Sequence, residues 1–294
     1  MKKILTVLML LFVAVGANCQ LLWRVSGNNC YESSYLFGTL HLETANFIDS
    51  VPGLNEAINN VDVIYGEIGK GEMTSTKTMM QLAKESAAPA DSTIDKLLNK
   101  EDYNLVDSVI KSYMFGFGLK ELRLLKPAVL TAQLNVMQMQ KYFPKNLDPA
   151  NMLDMAIQRR GEALGKHVDG LETVDAQTKA LFGASLVEQA EELVDFCRKD
   201  REFNTYSKQL CDAYRAQDLA AIEAIVFNKE YGMDDSDMER LSYERNRSWM
   251  DKITQTMPVQ RALIAVGAAH LVGKDGLINL LREQGYTVEP VLTK

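Results

Sequence analysis

Short apolar runs rich in β-branched and aromatic residues occur mostly toward the two ends of the chain. They cover residues 34–40 (SYLFGTL), 62–68 (DVIYGEI), 166–173 (KHVDGLET), 261–268 (RALIAVGA) and 286–292 (YTVEPVL). Runs of this length and composition, bounded by Gly or Asn, are typical of β-strands. The last two enclose a short amphipathic segment, which predicts a βαβ unit with parallel strands.

Between these runs, apolar residues recur every three or four positions, which is typical of amphipathic helices. The pattern holds for residues 54–61, 75–160 and 176–257. A helix is predicted to begin at 148–149, with Asp148 as its cap and Pro149 in its first turn. Segment 113–119 (YMFGFGL) is expected to be a buried helix and turn, although it could instead line a substrate groove.

No linker, low-complexity segment or internal repeat divides the chain after residue 19. We therefore predict one α/β domain over residues 20–294. Its central sheet, mostly parallel or mixed, is built from the two ends of the chain, and a large helical region is inserted between the strands.

Residues 1–19 have a different composition. Two lysines precede an apolar stretch, Ile4 to Val15, and small residues follow it. This order predicts a secretory signal peptide, and the stretch is too short for a transmembrane helix. We expect cleavage after Cys19 and export to the periplasm or the exterior, with no transmembrane segment left. Acylation of Cys19 is the alternative, disfavoured because Asn18 is bulky where such sites need a small residue.

Charge and cysteine content exclude several classes of function. Loss of Lys2 and Lys3 from the 32 basic residues, against 39 acidic ones, changes the formal net charge from −7 to −9. An acidic chain without a basic cluster is a poor partner for nucleic acid or anionic membranes. The remaining cysteines, Cys30, Cys197 and Cys211, are odd in number and form no C-x-x-C motif, so we expect buried thiols and no disulfide framework.

Four of the predicted strands share one sequence pattern: a glycine near the end of the strand is followed within three positions by an ionisable side chain. Glycine permits a sharp turn, and the carboxyl ends of parallel strands meet at one edge of a sheet. We therefore expect these side chains to lie in one cleft: His41, Glu67, Glu172 and His270. His41 and His270 share a G-x-x-H-L setting. The third histidine of the chain, His167, lies within a strand and is expected to be structural or exposed.

Two imidazoles and carboxylate oxygens suit Zn²⁺, Mn²⁺, Co²⁺ or Fe²⁺. Such an ion lowers the pKa of a bound water from about 15.7 to about 7, which allows attack on an amide or ester. A carboxylate that does not bind the ion can take the proton. Simpler roles stay open at single positions: a histidine bonded within its turn, an exposed Glu67, or a Glu172 that caps the next helix.

A helix predicted over residues 238–253 carries Arg245 on the same face as Met238, Leu241 and Trp249. A buried guanidinium at this position needs a carboxylate or an anionic intermediate as its partner. The alternative is an Arg245 that extends along the apolar face to solvent. The neighbouring Asn246 points about 100° away.

These motifs resemble, in order along the chain, those of the TraB/GumN/PrgY family, to which the Tiki metalloproteases belong. The resemblance covers about residues 22–291 and is carried by LWRVSG, SYLFGTLHL, VDVIYGEI, DGLET, ERN and VGAAHLVGKDGLINLLREQGYTVEPV. It implies an α/β fold shared with erythromycin-esterase-like and haem-binding relatives. As in Tiki members, it implies Mn²⁺- or Co²⁺-dependent peptidase activity. The matching motif residues are His41, His270, Glu67, Glu172, Arg245 and Asn246.

Two functions are compatible with this pattern. The first is an exported metal-dependent hydrolase, favoured as a peptidase acting on a peptide or protein. His41, His270 and Glu67 would hold Mn²⁺ or Co²⁺, with Zn²⁺ as a further candidate. Glu172 would act as base or additional ligand, and Arg245 and Asn246 would stabilise the oxyanion.

The second function is a non-catalytic protein that binds haem iron or a peptide in the same cleft. Haem capture favours an axial ligand in an apolar slot without competing carboxylates. The glutamates that accompany both histidines in the pattern therefore favour the hydrolase. The oligomeric state stays open.

Overall fold

The computed structural model describes residues 20–144 and 148–292, so the signal peptide predicted at 1–19 lies outside the described residues. The strands are β1 (Leu22–Ser26), β2 (Ser34–Thr39), β3 (Val63–Ile68), β4 (His167–Glu172), β5 (Ala262–Gly267) and β6 (Thr287–Pro290). The helices before β4 are α1 (Leu54–Asn60), α2 (Lys70–Met73), α3 (Thr76–Ser86), α4 (Ile94–Leu97), α5 (Lys100–Tyr113), α6 (Leu119–Leu122), α7 (Pro127–Gln140) and α8 (Leu153–Ala163).

The helices after β4 are α9 (Val174–Phe182), α10 (Leu186–Arg198), α11 (Asp200–Arg215), α12 (Leu219–Val226), α13 (Asp235–Met238), α14 (Glu244–Thr256) and α15 (Leu277–Glu283). Short 3₁₀ helices occur at Ala45–Ser50, Pro149–Asn151 and Ala268–Leu271. A π-helical turn, Glu239–Tyr243, leads directly into α14.

The six strands form one mixed sheet in the order β4-β3-β5-β2-β1-β6. The neighbours β4, β3, β5 and β2 are parallel, whereas β1 pairs antiparallel with both β2 and β6. The predicted fold class is confirmed: the chain is α/β, its sheet combines strands from both ends, and a large helical region lies between them.

The last strand pairs differently from the βαβ prediction. β6 runs in the same direction as β5, but β2 and β1 lie between them. Of these two intervening strands, β2 was predicted from the sequence and β1 was not. β1 joins β2 through a turn in which Gly27, Asn28 and Asn29 all have positive φ, a conformation that glycine and asparagine accept most readily. β1 therefore covers β2, and β6 adds to the free side of β1.

One local prediction was wrong and another was confirmed only in part. The helix predicted to begin at 148–149 begins at Leu153, because a 3₁₀ turn precedes it: the N–H of Asn151 donates to the Asp148 carbonyl, and the Asp148 side chain accepts the N–H of Ala150.

The segment predicted to be a buried helix and turn at 113–119 is buried only at its two ends. α5 ends at Tyr113 and a turn follows, as predicted, and Met114 and Leu119 lie in the core of the helical region. Between them, Phe115 is fully exposed with a φ of 52°, so the tip of the turn lies at the surface.

The sheet and the helical region have separate hydrophobic cores. Fully buried strand residues such as Leu36, Ile64 and Leu263 belong to the larger core, which packs the sheet against its flanking helices. A second core forms among α4, α5, α6, α7 and α10. The prediction of one domain over 20–294 stays a prediction. No helix in the described ranges has both the length and the hydropathy needed to span a bilayer.

We expect Gly170→Ala in β4 to destabilise the protein. A methyl group at Gly170 would overlap the backbone nitrogen of Gly69 and lie 2.9 Å from the carbonyl oxygen of Glu172. Backbone atoms cannot move aside cheaply, so the free energy of unfolding should fall by about 1–3 kcal/mol. The control is Gly71→Ala in α2, where no atom lies within 4 Å of the added methyl group. Equal urea midpoints for the two variants would contradict this packing.

Candidate functional site

The four ionisable side chains that follow the predicted strands lie at one edge of the sheet. Glu67 lies in β3 near its carboxyl end, and Glu172 is the last residue of β4. His41 follows β2, and His270 lies in the 3₁₀ helix after β5. Because β4, β3, β5 and β2 are adjacent and parallel, their carboxyl ends bring these residues together. His167, in contrast, is exposed at the start of β4.

The three predicted metal ligands surround one point beside Gly267. A methyl group placed on Gly267 would lie 3.3 Å from Glu67 Oε1, 3.6 Å from His270 Cδ2 and 3.9 Å from His41 Nε2. Any larger side chain at Gly267 would fill this space. We call it the Gly267 cradle, and it is the place where a small ligand would contact all three residues.

Glu67 bridges β3 and β5 beyond the point where their backbones pair. Its Oε1 accepts the N–H of Gly267 at 2.8 Å and lies 3.7 Å from His270 Nε2. Its Oε2 accepts from Arg245 Nη2 at 2.7 Å and from Gln177 Nε2 at 3.0 Å. Burial by itself raises the pKa of Glu67, but the neighbouring histidines, Arg245 and the Gly267 N–H outweigh it and lower the pKa. Glu67 is therefore an ionised carboxylate.

Arg245 links the two glutamates. Its Nη2 donates to Glu172 Oε1 at 2.6 Å as well as to Glu67, and its Nε donates to Glu172 at 3.0 Å. Its Nη1 donates to the carbonyl of Leu241 at 2.7 Å and lies 3.0 Å from His270 Nε2. The guanidinium is thus buried and paired with carboxylates, so the alternative in which it extends to solvent is wrong.

Local structure explains how Arg245 reaches this position. It lies in the first turn of α14, directly after the π-helical turn, and the Leu241 carbonyl that accepts from it belongs to that turn. Trp249, one turn later, lies under the guanidinium at 5.0 Å and donates weakly to Glu172 Oε2 at 3.3 Å. The helix therefore presents a cation and an aromatic face together to the edge of the sheet.

Asn246 fixes the orientation of His270. Its Nδ2 donates to two backbone carbonyls, His270 O at 3.0 Å and Asp275 O at 2.8 Å, so its Oδ1 faces His270 Nδ1 at 2.7 Å. This arrangement assigns the proton to Nδ1 and leaves Nε2 as an acceptor for Arg245. Burial, together with Arg245, lowers the pKa of His270 to about 4. The predicted oxyanion role of Asn246 stays a prediction, and its amide is committed to these contacts.

His41 is held differently. Two-thirds of its side chain is exposed, and its Nδ1 lies 3.2 Å from Asp154 Oδ2. Asp154 raises the pKa of His41, although solvent around the exposed ring screens part of this effect. The opposite nitrogen, Nε2, faces the Gly267 cradle. His41 therefore directs Nε2 toward the cradle, whereas His270 presents Cδ2 to it and its Nε2 lies between Arg245 Nη1 and Glu67 Oε1. In both histidines a side-chain oxygen contacts Nδ1.

Sequence reasoning missed Asp154 and Gln177. Asp154 is an acidic residue in the first turn of α8, but the helix was predicted to begin earlier, which hid that signal. Gln177 lies in α9, one turn after Thr173. The open question about Glu172 is also answered: Thr173 caps α9 with its own side chain, and Glu172 pairs with Arg245.

The donor types at the cradle fit a divalent cation of intermediate softness, which imidazole nitrogen and carboxylate oxygen both bind. Within the described ranges, however, no three His, Cys, Asp or Glu side chains are already spaced to hold an ion. One cause is that His270 Nε2 accepts a hydrogen bond from Arg245. Binding would require this bond to open and the ligands to move inward.

Comparison with known proteins agrees with the motif order. The TraB/PrgY/gumN family model matches residues 21–290. The chain belongs to this family. It is 23% identical over 317 residues to a Metalloprotease TIKI homolog from Amphimedon queenslandica, with 91% of this chain and 60% of that protein covered. It is 21% identical over 319 residues to Metalloprotease TIKI2 from Danio rerio, with the same two shares covered.

The chain thus spans about 60% of the length of these curated relatives. No solved structure matches it. Membership confirms the resemblance seen in the sequence, and both of these curated relatives are named as metalloproteases.

We expect the metal-free protein to lose stability as the pH falls from 6.5 to 4. The folded pKa of His270, about 4, lies below its ordinary value of 6.5, so the unfolded chain takes up the proton first. The stabilisation is therefore present above pH 6.5 and is lost toward pH 4, with a size on the order of 3 kcal/mol. Urea unfolding at several pH values measures it.

His270→Gln should flatten this dependence, and His167→Gln, at an exposed position, should leave it unchanged. The raised pKa of His41 affects stability in a different pH range. It stabilises the folded protein below pH 6.5, and this stabilisation is lost as the pH rises from 6.5 to about 9. The lowered pKa of Glu67 acts below its ordinary value of 4.5. A His270→Gln variant with the wild-type slope between pH 6.5 and 4 would exclude a neutral buried His270.

Proposed function

We propose that the protein is an exported metal-dependent hydrolase that cleaves amide bonds in peptides or proteins. The observation that supports it best is the Gly267 cradle, where His41 Nε2, His270 and Glu67 Oε1 surround one point. Two curated relatives named as TIKI metalloproteases support the same reaction class. His41, His270 and Glu67 would hold the ion, with Mn²⁺ or Co²⁺ favoured over Zn²⁺.

The contacts at Nδ1 are those expected of metal-binding histidines. In metal sites, the imidazole nitrogen that does not bind the ion usually donates to a carboxylate or another oxygen, which fixes the tautomer. Here Asp154 has this role for His41, and Asn246 has it for His270. In this proposal Asn246 is therefore a positioning residue rather than the oxyanion donor.

Arg245 would lose one contact when the cleft is loaded. The hydrogen bond between its Nη1 and His270 Nε2 must open, whereas the bond from Nη1 to the Leu241 carbonyl and the bond from Nη2 to Glu172 Oε1 can remain. The released N–H is close to the cradle and can donate to the negative charge that develops on a carbonyl oxygen. Arg245 thus keeps its predicted role in stabilising the oxyanion.

A divalent cation in the cradle would supply Lewis acidity and make a water molecule more acidic. The chain would supply the acceptor for the proton. Glu172 fits this role because its side chain is only 5% exposed and its Oε2 makes only two long contacts, each at 3.3 Å, with Arg245 Nε and Trp249 Nε1. Oε2 would accept the proton, while Oε1 keeps its hydrogen bond to Arg245 Nη2.

The charged lining disfavours the alternative of haem capture. Glu67, Glu172, Arg245 and Asp154 all lie within hydrogen-bond contact of a cradle residue or of one another. An apolar macrocycle would have to be placed against these charges, and a buried carboxylate left without its partner is costly. Peptide capture without turnover is an outcome of the experiments below.

Metal addition should stabilise the metal-free protein. A ligand that binds only the folded state adds about 2.7 kcal/mol at a hundredfold excess over Kd. Mn²⁺ or Co²⁺ should therefore raise the melting temperature by several degrees, at about 2–4 °C per kcal/mol. His41→Ala and His270→Ala should each abolish the shift, and His167→Ala should retain it. Absence of a shift with Mn²⁺, Co²⁺ and Zn²⁺ in the wild type would remove the basis for a metal site.

Peptidase activity is tested by digestion of a peptide library with the metal-free protein and with Mn²⁺ or Co²⁺ added. We expect cleavage only with metal, and its loss in Glu67→Gln, which keeps the size of the side chain but not its charge. His167→Gln is the matched control. Cleavage that survives chelation, or in the Glu67→Gln variant, would contradict the mechanism. Metal binding without any cleavage would indicate a binding protein instead.

A further inference from the structure

Asp154 connects the helical region to the edge of the sheet at His41. It lies in the first turn of α8, 113 positions along the chain from His41. One carboxylate oxygen, Oδ1, accepts from Thr39 Oγ1 at 2.6 Å. Thr39 is the last residue of β2 and is 1% exposed, so it holds the carboxylate in a fixed orientation. The other oxygen, Oδ2, then faces His41 Nδ1.

The two cradle histidines differ in what restrains them. His270 is buried, lies 4.6 Å from the ring of Trp249 and is bound at Nδ1 by Asn246. His41 is two-thirds exposed, and among the described residues the hydrogen bond to Asp154 is the polar contact that its ring makes. Packing can therefore orient His270, whereas the orientation of His41 depends on Asp154.

A carboxylate at this position selects one form of the imidazole. Asp154 is an acceptor, and its second oxygen is already occupied by the Thr39 hydroxyl, so His41 must carry a proton on Nδ1. With the proton there, the lone pair of the neutral ring lies on Nε2, which faces the Gly267 cradle. Without Asp154, the exposed ring could exchange tautomers or turn its other nitrogen inward.

We propose that Asp154, braced by Thr39, is a positioning residue that fixes the tautomer and direction of His41. Its consequence for metal affinity rests on the proposed function, but its effect on the His41 ring does not. Partners of metal-binding histidines typically contribute about 10–100-fold to metal affinity. Asp154→Ala should therefore weaken binding of Co²⁺ by that factor, and Thr39→Val should weaken it less.

The matched control is Asp175→Ala. Asp175 is the second residue of α9, as Asp154 is of α8, so both substitutions remove an acidic residue from the first turn of a helix. Asp175 accepts from Gln81 and not from a cradle residue. A general loss of helix stability would appear in both variants, whereas loss of a positioning contact would appear only in Asp154→Ala.

Two measurements separate positioning from metal binding. Long-range ¹H–¹⁵N correlation of the imidazoles in the metal-free protein reports the tautomer, and the chain has only 3 histidines to assign. At a pH where the ring is neutral, His41 should be protonated at Nδ1 in the wild type and in Asp175→Ala. It should change to a mixture in Asp154→Ala, while His270 stays unchanged. Isothermal titration with Co²⁺ gives the affinities.

A wild-type tautomer and affinity in Asp154→Ala would overturn the proposal, as would an equal loss in Asp175→Ala. A change of tautomer in Asp154→Ala in a protein that binds no metal would support the positioning role and reject the metal site. The two proposals can therefore fail independently.

Discussion

The buried ion pair of Arg245 with Glu67 and Glu172 is the interaction on which the rest of the edge depends. One guanidinium lies between two carboxylates that come from neighbouring strands, and it also contacts the histidine of a third segment. Taking such charges out of water is costly unless all donors and acceptors are satisfied. Here every N–H of the guanidinium has an acceptor, so the cost is offset and the arrangement of β3, β4 and α14 is fixed together.

The positive charge of Arg245 also offsets the negative charges of Glu67 and Glu172 and so stabilises the two buried carboxylates beside each other. Two carboxylates facing an empty space would repel one another, and the guanidinium removes that repulsion. The same contact occupies His270 Nε2, which means that a cation entering the cradle must compete with a resident positive charge. The contacts of Arg245 thus hold Glu67, Glu172 and His270 together within the protein itself.

Access to the cleft is from the His41 side. Glu67, Glu172, Arg245 and His270 are buried, whereas two-thirds of the His41 side chain is exposed. His41 is therefore the member of this group that solvent reaches. This asymmetry has a structural origin. His270 packs against Trp249 of α14, whereas His41 follows β2 and, among the described residues, its ring is hydrogen-bonded by Asp154 in the first turn of α8.

Residue types and periodicity in the sequence were sufficient to predict the α/β class and the strands that end in a glycine followed by an ionisable residue. They were also sufficient to select the candidate site residues, which are His41, Glu67, Glu172, Arg245 and His270. These follow from local physics: strand and helix periods, and the freedom of glycine at a turn. The sequence also suggested that a buried arginine would need a carboxylate. It could not assign which carboxylate, because Glu67 is 178 positions away.

The tertiary structure alone decided three things. It placed β5 between β3 and β2, so that β6 pairs with β1 instead, because strand neighbours are chosen by the packing of the whole sheet. It turned the Asn246 amide toward backbone carbonyls and so made it a support for His270. It brought Asp154 to His41, since hydrogen-bond partners separated by more than a hundred residues are set by how helices dock on the sheet and leave no periodic trace in the chain.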